Sequence, residues 1–594
     1  GAPLLHGEKG ADTRIADASR NLVAEVHGGV GDVAEGIASA LAAGGTMVRE
    51  RFTTQRVQHA HLETHGCTGW RDEDGRLVLR TSSQVPFLVR DELCHVFGLD
   101  RDEVRVFTMR VGGGFGAKQE MLTEDIVTLA VLRLGRPVRY EFTRSDQFTM
   151  APCRHPYRID VTAAAGRDGV LTALAVEVLM DAGAYGNHST GVMFHGCGES
   201  VSVYRCANKR IDAQAVYTNN LPSGAFRGYG LGQMIFAVES ALDELAQRLD
   251  IDPFELRRRN VVVPGDDFVD AHVLDDDLAF GSYGLDQCLD LTQQALVDGN
   301  GVAGPDGWPV GEGMAIAMIA TIPPRGHFAE ASVAVTSDGD YLLSVGTAEF
   351  GNGTTTVLTQ VVATELNTTP DKVLVRQSDT QATGYDTGAF GSAGTVVAGQ
   401  AVMAACRDLR ASMLRAAAEH TGAGMHTCVL TPHGVQCGTR LVEFGDLPTS
   451  LIGHGSHDGT PRSVAFNVQG FRVAVNPETG EVRILQSVQA ADAGVVMNPQ
   501  QCRGQVEGGV AQAIGGALYE QILIGPDGTV LTDALRNYHI PQLADVPVTE
   551  VLFADTYDQI GPLGAKSMSE SPYNPVGPAL ANAIARACGA RVRD

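Results

Sequence analysis

Val104-Arg-Val-Phe-Thr-Met-Arg-Val-Gly-Gly-Gly-Phe-Gly-Ala-Lys118 carries the reading that decides the fold. Its first part alternates apolar residues as a strand does, its second is a glycine cluster, and a helical pattern follows near Glu124. The other half of the chain repeats the order, with a strand from Tyr341 to Phe350, then Gly351-Asn-Gly353, then a helix from Thr354. Glycines let backbone N–H groups approach a phosphate, and a helix N-terminus attracts its charge. Two such loops would suit one anionic ligand shared between two similar halves.

Outward from these loops, strand pairs recur around turn signals. They are Arg71 to Leu79 about Asp74-Gly75, Ile159 to Leu179 about Asp168-Gly169, Ala331 to Gly346 about Asp338-Gly339, and Val473 to Val488 about Thr479-Gly480. Helical stretches lie between them: Glu124 to Leu134, Gln233 to Arg248, Thr355 to Glu365, Val396 to His420 and Gln505 to Leu518. Strands and helices interleaved without a regular βαβ period predict an α+β fold. The stretch Asp298-Gly-Asn-Gly-Val-Ala-Gly-Pro-Asp-Gly-Trp308 is the best candidate boundary between domains.

The bulk numbers agree with a large, multi-domain protein. The chain has 594 residues, 44% of them hydrophobic, which is enough for more than one core. Its net charge of -25 lacks the basic footprint that nucleic acid requires. No run of about 20 apolar residues exists to span a membrane, and the N-terminus shows no signal-peptide core. Eleven cysteines are scattered with no C-x-x-C pair, so an iron–sulfur or zinc site of the chain's own is not expected. Reduced, buried thiols in a cytoplasmic protein fit that pattern.

Three motifs bear on chemistry. The first loop is not a Walker A loop, since Ala117 and Gln119 replace the required Gly and Ser/Thr. It does satisfy G-x-G-x-x-A through Gly112, Gly114 and Ala117, with Glu141 at roughly the distance of a ribose-binding acid. A nicotinamide-dependent dehydrogenase is therefore one alternative, and a tight strand-to-helix turn another. In Ala225-Phe-Arg-Gly-Tyr-Gly230, Arg227 can reach a substrate carbonyl past small neighbours or form an ordinary ion pair. Glu570, in Gly564-Ala-Lys-Ser-Met-Ser-Glu570-Ser-Pro572 before a helix Pro578 to Cys588, is a general base if buried and a solvated loop residue if not. No H-E-x-x-H or Cys/His cluster occurs, so a catalytic metal would arrive with an organic cofactor. The G-x-S-x-G elbow of a hydrolase is also missing.

Taken together and in this order, the segments resemble the molybdopterin-binding region of the xanthine dehydrogenase/aldehyde oxidase family. The matching pieces are Gln84 in Thr81-Ser-Ser-Gln-Val-Pro-Phe87, the loop Gly112 to Lys118, and Thr218-Asn-Asn-Leu-Pro-Ser-Gly-Ala-Phe-Arg-Gly228. They continue with Gly346-Thr-Ala-Glu-Phe-Gly-Asn-Gly353, Gly391-Ser-Ala-Gly394 before Gly399-Gln-Ala-Val402, Gly504-Gln-Val-Glu-Gly508, and the Glu570 loop. The resemblance covers nearly the whole chain.

It implies two related molybdenum-cofactor-binding domains of mixed sheets and helices, 46–297 and 298–594, with the cofactor between them. Residues 1–45 would be a remnant or linker from a largely missing N-terminal domain. The implied activity is hydroxylation of a carbon next to N or O in an N-heterocycle, a purine-like compound or an aldehyde. Molybdenum would be held by a pterin dithiolene with no protein ligand, in the cytosine dinucleotide form usual in bacteria. Glu570 takes the place of the general base, and Gln84 that of the residue bonding the metal's oxo group. Gly113, Gly114 and Phe115 fall at the cofactor and the substrate wall. Arg227 approaches the cofactor or steadies substrate charge. Phe350, Gly351, Asn352, Gly353, Gly391, Ser392 and Gln505 make the cradle for pterin and phosphate.

Electrons would leave through an iron–sulfur subunit with [2Fe-2S] clusters and a flavin subunit carrying FAD. Gln119 stands where purine-oxidising members tend to have Glu, which argues against xanthine itself. Asn352 stands where Gln is common, and Ser567-Met-Ser-Glu570 replaces the usual G-x-G-E. A non-catalytic pterin carrier is the other alternative, against which the retained Glu570 speaks.

Overall fold

The structure is a computed structural model and describes residues 3–9, 15–271, 277–322, 326–448 and 450–594. It is α+β, as expected, with the long strands gathered into four mixed sheets that helices cover. In the first half, a five-stranded sheet runs in the order Leu22–Val30, Lys209–Tyr217, Leu171–Gly183, Tyr157–Ala165, Thr46–Thr54. Its strands bury alternate residues, as in Tyr157, Ile159 and Val161, against the helix Leu231–Leu249. A four-stranded sheet, Val104–Phe107, Leu77–Thr81, Gly66–Arg71, Val138–Glu141, holds the first glycine loop at its edge.

The second half mirrors this division. Val310–Ala320, Arg462–Val475 and Val482–Ala491 form long antiparallel strands, with Thr549–Phe553 added in parallel. Another sheet, Val373–Gln377, Tyr341–Val345, Ala329–Val335, Ile452–His457, carries the second glycine loop. In both sheets a pair of alternating glycines lets a helix lie directly on a strand. A Cβ at Gly311 or Gly313 would collide with backbone of the helix Val576–Cys588, and one at Gly453 or Gly455 with the helix Gly399–Thr421. These four glycines serve helix–sheet contact rather than turns.

All four hairpins read from the sequence form. The helix Glu124–Leu134 ends at Gly135 with φ 63, the left-handed C-terminal cap expected before Pro137. The helix Pro499–Leu518 begins six residues earlier than its apolar pattern suggests. Asn498 caps it by accepting from Gln501 N, and Pro499 occupies its first turn.

Several expectations differ from the structure. The strand Leu22–Val30 pairs with Lys209–Tyr217, so the segment 1–45 is part of the first sheet, not merely a linker; residues 1–2 and 10–14 of it lie outside the described residues. The halves also interlock across residue 298, because one apolar core joins Leu285 and Leu289 with Met314, Ile316, Val464 and Phe466. The strand before the first glycine loop is short, and the loop leads into a 3-10 turn, Ala117–Gln119, ahead of the helix. No dinucleotide-binding βαβ unit results. The strand after the helix, Val138–Glu141, pairs antiparallel with Gly66–Arg71, and not in parallel beside Val104–Phe107. Cys428 and Cys437 form a disulfide across the small hairpin Cys428–Thr431/Gly434–Cys437, whereas free thiols were expected throughout. Among the described residues no helix is long and apolar enough to cross a membrane.

Candidate active site

A cleft of about 1340 Å³ opens between the halves. The first glycine loop, the helix Ser189–Ser202 and the turn 225–229 form one wall; the loops 350–354 and 389–395, the helix Pro499–Leu518 and the segment 565–570 form the other. Eleven non-glycine residues have positive φ among the described residues, and five of them, Ala60, Phe115, Tyr229, Ile322 and Ser392, line this cleft. Such conformations cost energy and persist where surrounding structure holds a working geometry.

Glu570 is half-buried in the cleft and held from two separate segments. Ser392 Oγ donates to its Oε2 at 2.8 Å, Gly228 N donates to its Oε1 at 3.3 Å, and its own N–H donates to Ser392 Oγ at 3.3 Å. The loop that carries it is anchored by Arg227, whose Nε donates to Ser569 O at 2.7 Å and whose Nη2 donates to Gln505 O at 2.9 Å. Burial lowers the Arg227 pKa to about 10, against the opposing pull of the Glu570 carboxylate. The sequence reading had Arg227 approaching the cofactor or steadying substrate charge. The structure gives its guanidinium to two backbone carbonyls, tying the helix Pro499–Leu518 to the Glu570 loop.

Gln84 is buried behind the first loop. Its Oε1 accepts from Gly116 N at 3.1 Å and its Nε2 donates to Ala389 O at 2.7 Å, leaving one N–H for an occupant. A Cβ on Gly114 would strike Gln84 Oε1, so this glycine serves the glutamine and does not line the cleft. Lys118 of the same loop turns away from the cleft. Its Nζ donates to Glu63 at 3.1 Å, and Glu63 Oε2 also accepts from Gly112 N at 2.6 Å, pinning the loop.

The second loop differs from its expected phosphate-cradling role. Gly351 N and Gly353 N donate to Glu349 Oε1 at 2.8 and 3.2 Å, and Thr355 N donates to Glu349 Oε2 at 3.0 Å. The chain's own carboxylate thus occupies the N-terminus of the helix Thr354–Glu365 that the glycines were expected to leave for an anion. Unmet polar groups lie elsewhere in the cleft. Gln119, Gln501 and Gln512 all line it, and the Oε1 of each is buried without a hydrogen-bond partner. Along the helix Pro499–Leu518, Gln501, Gln505 and Gln512 fall on one face, four and seven residues apart. Buried amides left unpaired are costly, so this stripe is arranged for a polar occupant.

The expected site residues mostly converge. Gln84, Phe115, Gln119, Arg227, Phe350, Gly351, Asn352, Gly391, Ser392, Gln505 and Glu570 line the one cleft, while Gly113, Gly114 and Gly353 stand behind its walls. Ser392 is assigned by contact to Glu570 rather than to a phosphate cradle. Sequence reading missed Gln501 and Gln512, which the helical spacing from Gln505 would have shown. It also missed Tyr229, His195 and Glu199, the last two on the helix Ser189–Ser202, whose glycines hide any apolar period.

Glu120, next to Gln119, has both carboxylate oxygens buried without a partner, and burial raises its pKa from 4.5 to about 8. The folded chain therefore keeps a proton that the unfolded chain releases. The associated stability is complete below pH 4.5 and is lost as pH rises toward 8. Glu120→Gln should leave the melting midpoint unchanged near pH 4.5 and raise it by roughly a few °C at pH 8, as scanning calorimetry at the two pH values would show. Equal midpoints at pH 8 would mean that the carboxyl is solvated.

Comparison with known proteins agrees with this architecture. A family model described as "Molybdopterin cofactor-binding domain" matches residues 15–261, and a second of the same description matches residues 298–547. The chain is 33% identical over 592 residues to "Probable hypoxanthine oxidase XdhD" of Escherichia coli strain K12, covering 97% of this chain and 61% of that protein. It therefore spans about three fifths of that relative's length. It is 30% identical over 584 residues to the "Xanthine dehydrogenase molybdenum-binding subunit" of Escherichia coli O157:H7, covering 92% of this chain and 75% of that one. Among solved structures, quinoline 2-oxidoreductase from Pseudomonas putida 86 superposes with a TM-score of 0.85 at 26% identity, covering 98% of this chain and 78% of its own. With both cofactor-binding domains matched and a cleft between them, the chain belongs to the xanthine dehydrogenase/aldehyde oxidase family, as its molybdopterin-binding large subunit.

Proposed function

We propose that the chain is the catalytic subunit of a molybdenum hydroxylase. It oxidises a carbon next to nitrogen or oxygen in an N-heterocycle, purine-like compound or aldehyde, and passes electrons to iron–sulfur and flavin partners. The observation that carries this reading is Glu570, a carboxylate fixed by Ser392 Oγ and Gly228 N inside a cleft lined by partnerless amides. When bound, the molybdenum–pterin group, in its cytosine dinucleotide form, supplies a two-electron oxidant.

The residues present fit that group. Among the described residues no cluster of three His, Cys, Asp or Glu side chains is placed to hold a metal, so the pterin's own sulfurs would carry it. Gln501, Gln505 and Gln512 offer amides that both donate and accept, which suits a pterin edge. Gln84 has an N–H to spare, and Phe350, Asn352 and Gly391 border the same space. Glu570 accepts the proton of the attacking water and holds it while the new C–O bond forms. Phe115 and Phe226 give the reacting end an apolar wall that limits bulk water. The relatives support the substrate class: one is named for hypoxanthine and one for quinoline, both ring nitrogen compounds. Against the dehydrogenase reading, the strand that follows the helix, Val138–Glu141, does not run in parallel beside Val104–Phe107, so the first loop is not part of a βαβ unit.

Elemental analysis and acid hydrolysis of protein purified with its natural partners test this directly. Near-stoichiometric molybdenum and released CMP are the expected result. Protein from cells able to make the cofactor that holds neither would refute the proposal.

A further inference from the structure

Tyr229 follows Arg227 and Gly228 at the turn before the helix Leu231–Leu249, with φ 47 aiming its ring into the cleft wall. Its hydroxyl lies beside Gly191, where a Cβ would come within 2.6 Å of it, and Gly191 itself lines the cleft. Behind the hydroxyl stands His188, which caps the helix Ser189–Ser202 and bonds Tyr229 Oη through Nδ1 at 2.9 Å. Behind His188 stands Glu120, with its Oε1 4.0 Å from His188 Nε2. The Glu120 carboxyl is packed against Gly224, where a Cβ would come within 2.6 Å of Oε1. Neither Glu120 oxygen has a hydrogen-bond partner, so a small rotation toward Nε2 would satisfy two groups at once. The three side chains thus form a line from the cleft into the interior.

The geometry points to Glu120, His188 and Tyr229 as a proton relay that sets whether the cleft wall offers a ligand a hydrogen-bond donor or an acceptor. The hydroxylase reading supplies the ring-containing ligand; the relay itself rests on the geometry of these residues. With Glu120 protonated, its O–H donates to His188 Nε2, and His188 Nδ1–H donates to Tyr229 Oη. The Tyr229 proton is then free to point into the cleft, toward a bare ring nitrogen. When Glu120 releases its proton to solvent, the imidazole proton moves to Nε2 and donates to the carboxylate. Tyr229 now donates to Nδ1, and its oxygen is left to accept from a ring N–H. One proton leaves and one shifts between imidazole nitrogens; every other bond is kept.

Burial favours the neutral members of the line. Glu120 is raised to about 8 and His188 lowered to about 4. The other titratable groups facing this corner are His155 and Tyr157 from the segment entering Tyr157–Ala165, His195 and Glu199 from the helix Ser189–Ser202, and Glu570. Burial holds His155 well below 6.5 and Tyr157 well above 10, so neither changes charge between pH 6.5 and 9. Glu120 and His188 are positioning residues, and Tyr229 is the group that meets the ligand.

Two probes separate the states: quinoline, a ring nitrogen with no N–H, and indole, an N–H with no bare nitrogen. Their dissociation constants would be measured on dithionite-reduced holoenzyme, where no turnover competes, at pH 6.5 and 9. The preference for quinoline over indole should fall roughly 2- to 10-fold across that range in the parent protein. Glu120→Gln should hold the low-pH preference at both values, and Tyr229→Phe, which keeps the ring, should abolish the pH dependence. A preference independent of pH in the parent protein, a pH dependence that survives either substitution, or binding of neither probe would overturn the relay. A holoenzyme that binds both probes with the expected pH dependence but hydroxylates no heterocycle would fault the hydroxylase reading and leave the relay standing.

Discussion

Glu570→Gln should lower kcat about 10²- to 10⁴-fold, the range over which a positioned general base contributes, while molybdenum and CMP content stay at the parent level. Glutamine keeps the shape of glutamate: its amide oxygen can still accept from Gly228 N, and its NH2 can donate to Ser392 Oγ, which in the parent donates to the other carboxylate oxygen. What it loses is the ability to take a proton. Because the cleft-lining amides of Gln84, Gln501 and Gln512 lie on other elements, occupancy should not follow activity downward. The measurement is steady-state turnover beside metal and nucleotide analysis of the same preparation. Parent-like turnover would remove Glu570 from the mechanism. A parent protein loaded with cofactor yet inactive toward purines, pyridines and aldehydes would instead favour the carrier reading.

The elements most legible in the sequence were those whose signal is local. Asp168-Gly169 and Thr479-Gly480 mark hairpins because those residues accept the backbone angles of a tight turn, and both hairpins form. Gly135 and Pro137 end a helix for equally local reasons. The helix Ser189–Ser202 was not legible, since Gly191, Gly196 and Gly198 interrupt any apolar period and its formation depends on packing against Leu231–Leu249. Pairing between distant strands was hidden for the same reason. Nothing near Leu22 announces Lys209–Tyr217 as its neighbour, nor does anything near Glu141 exclude a parallel partner.

The site shows the same division. Glu570 could be picked out as a carboxylate in a small-residue loop, yet its hold on Ser392, 178 residues away, exists only in the fold. Glu349 illustrates the converse error. Gly351 and Gly353 look like an anion cradle in sequence, but a carboxylate two residues upstream takes up their amides. A glycine loop at a helix start reports that an anion can be bound there, not whose anion it is.

Arg227→Met should lower kcat about 10²-fold, the cost of displacing a reacting group by roughly 1 Å, with a much smaller effect on KM. The guanidinium donates to Ser569 O, next to Glu570 in the chain, and to Gln505 O on the helix that carries the amide stripe. Methionine fills similar volume without a donor, so Ser569 O loses its partner inside the protein, at roughly 1–3 kcal/mol, while Gln505 O keeps its bond within the helix. The nearest relief is for the 567–570 loop to move, since Gln505 O belongs to a helix whose own backbone bonds resist displacement. Glu570 would then lose its register with Ser392 and Gly228 without losing its charge. Arg227→Lys should recover only part of the loss, because one ammonium group cannot span both carbonyls as the planar fork does. A substrate-steadying role for Arg227 predicts the opposite pattern. KM would rise most for ligands bearing a carbonyl or negative charge, and kcat would change little. Measuring kcat and KM separately for a neutral heterocycle and an anionic one, in Arg227→Met and Arg227→Lys, decides between the two. A loss confined to KM would show that the guanidinium turns from the loop to the substrate during catalysis.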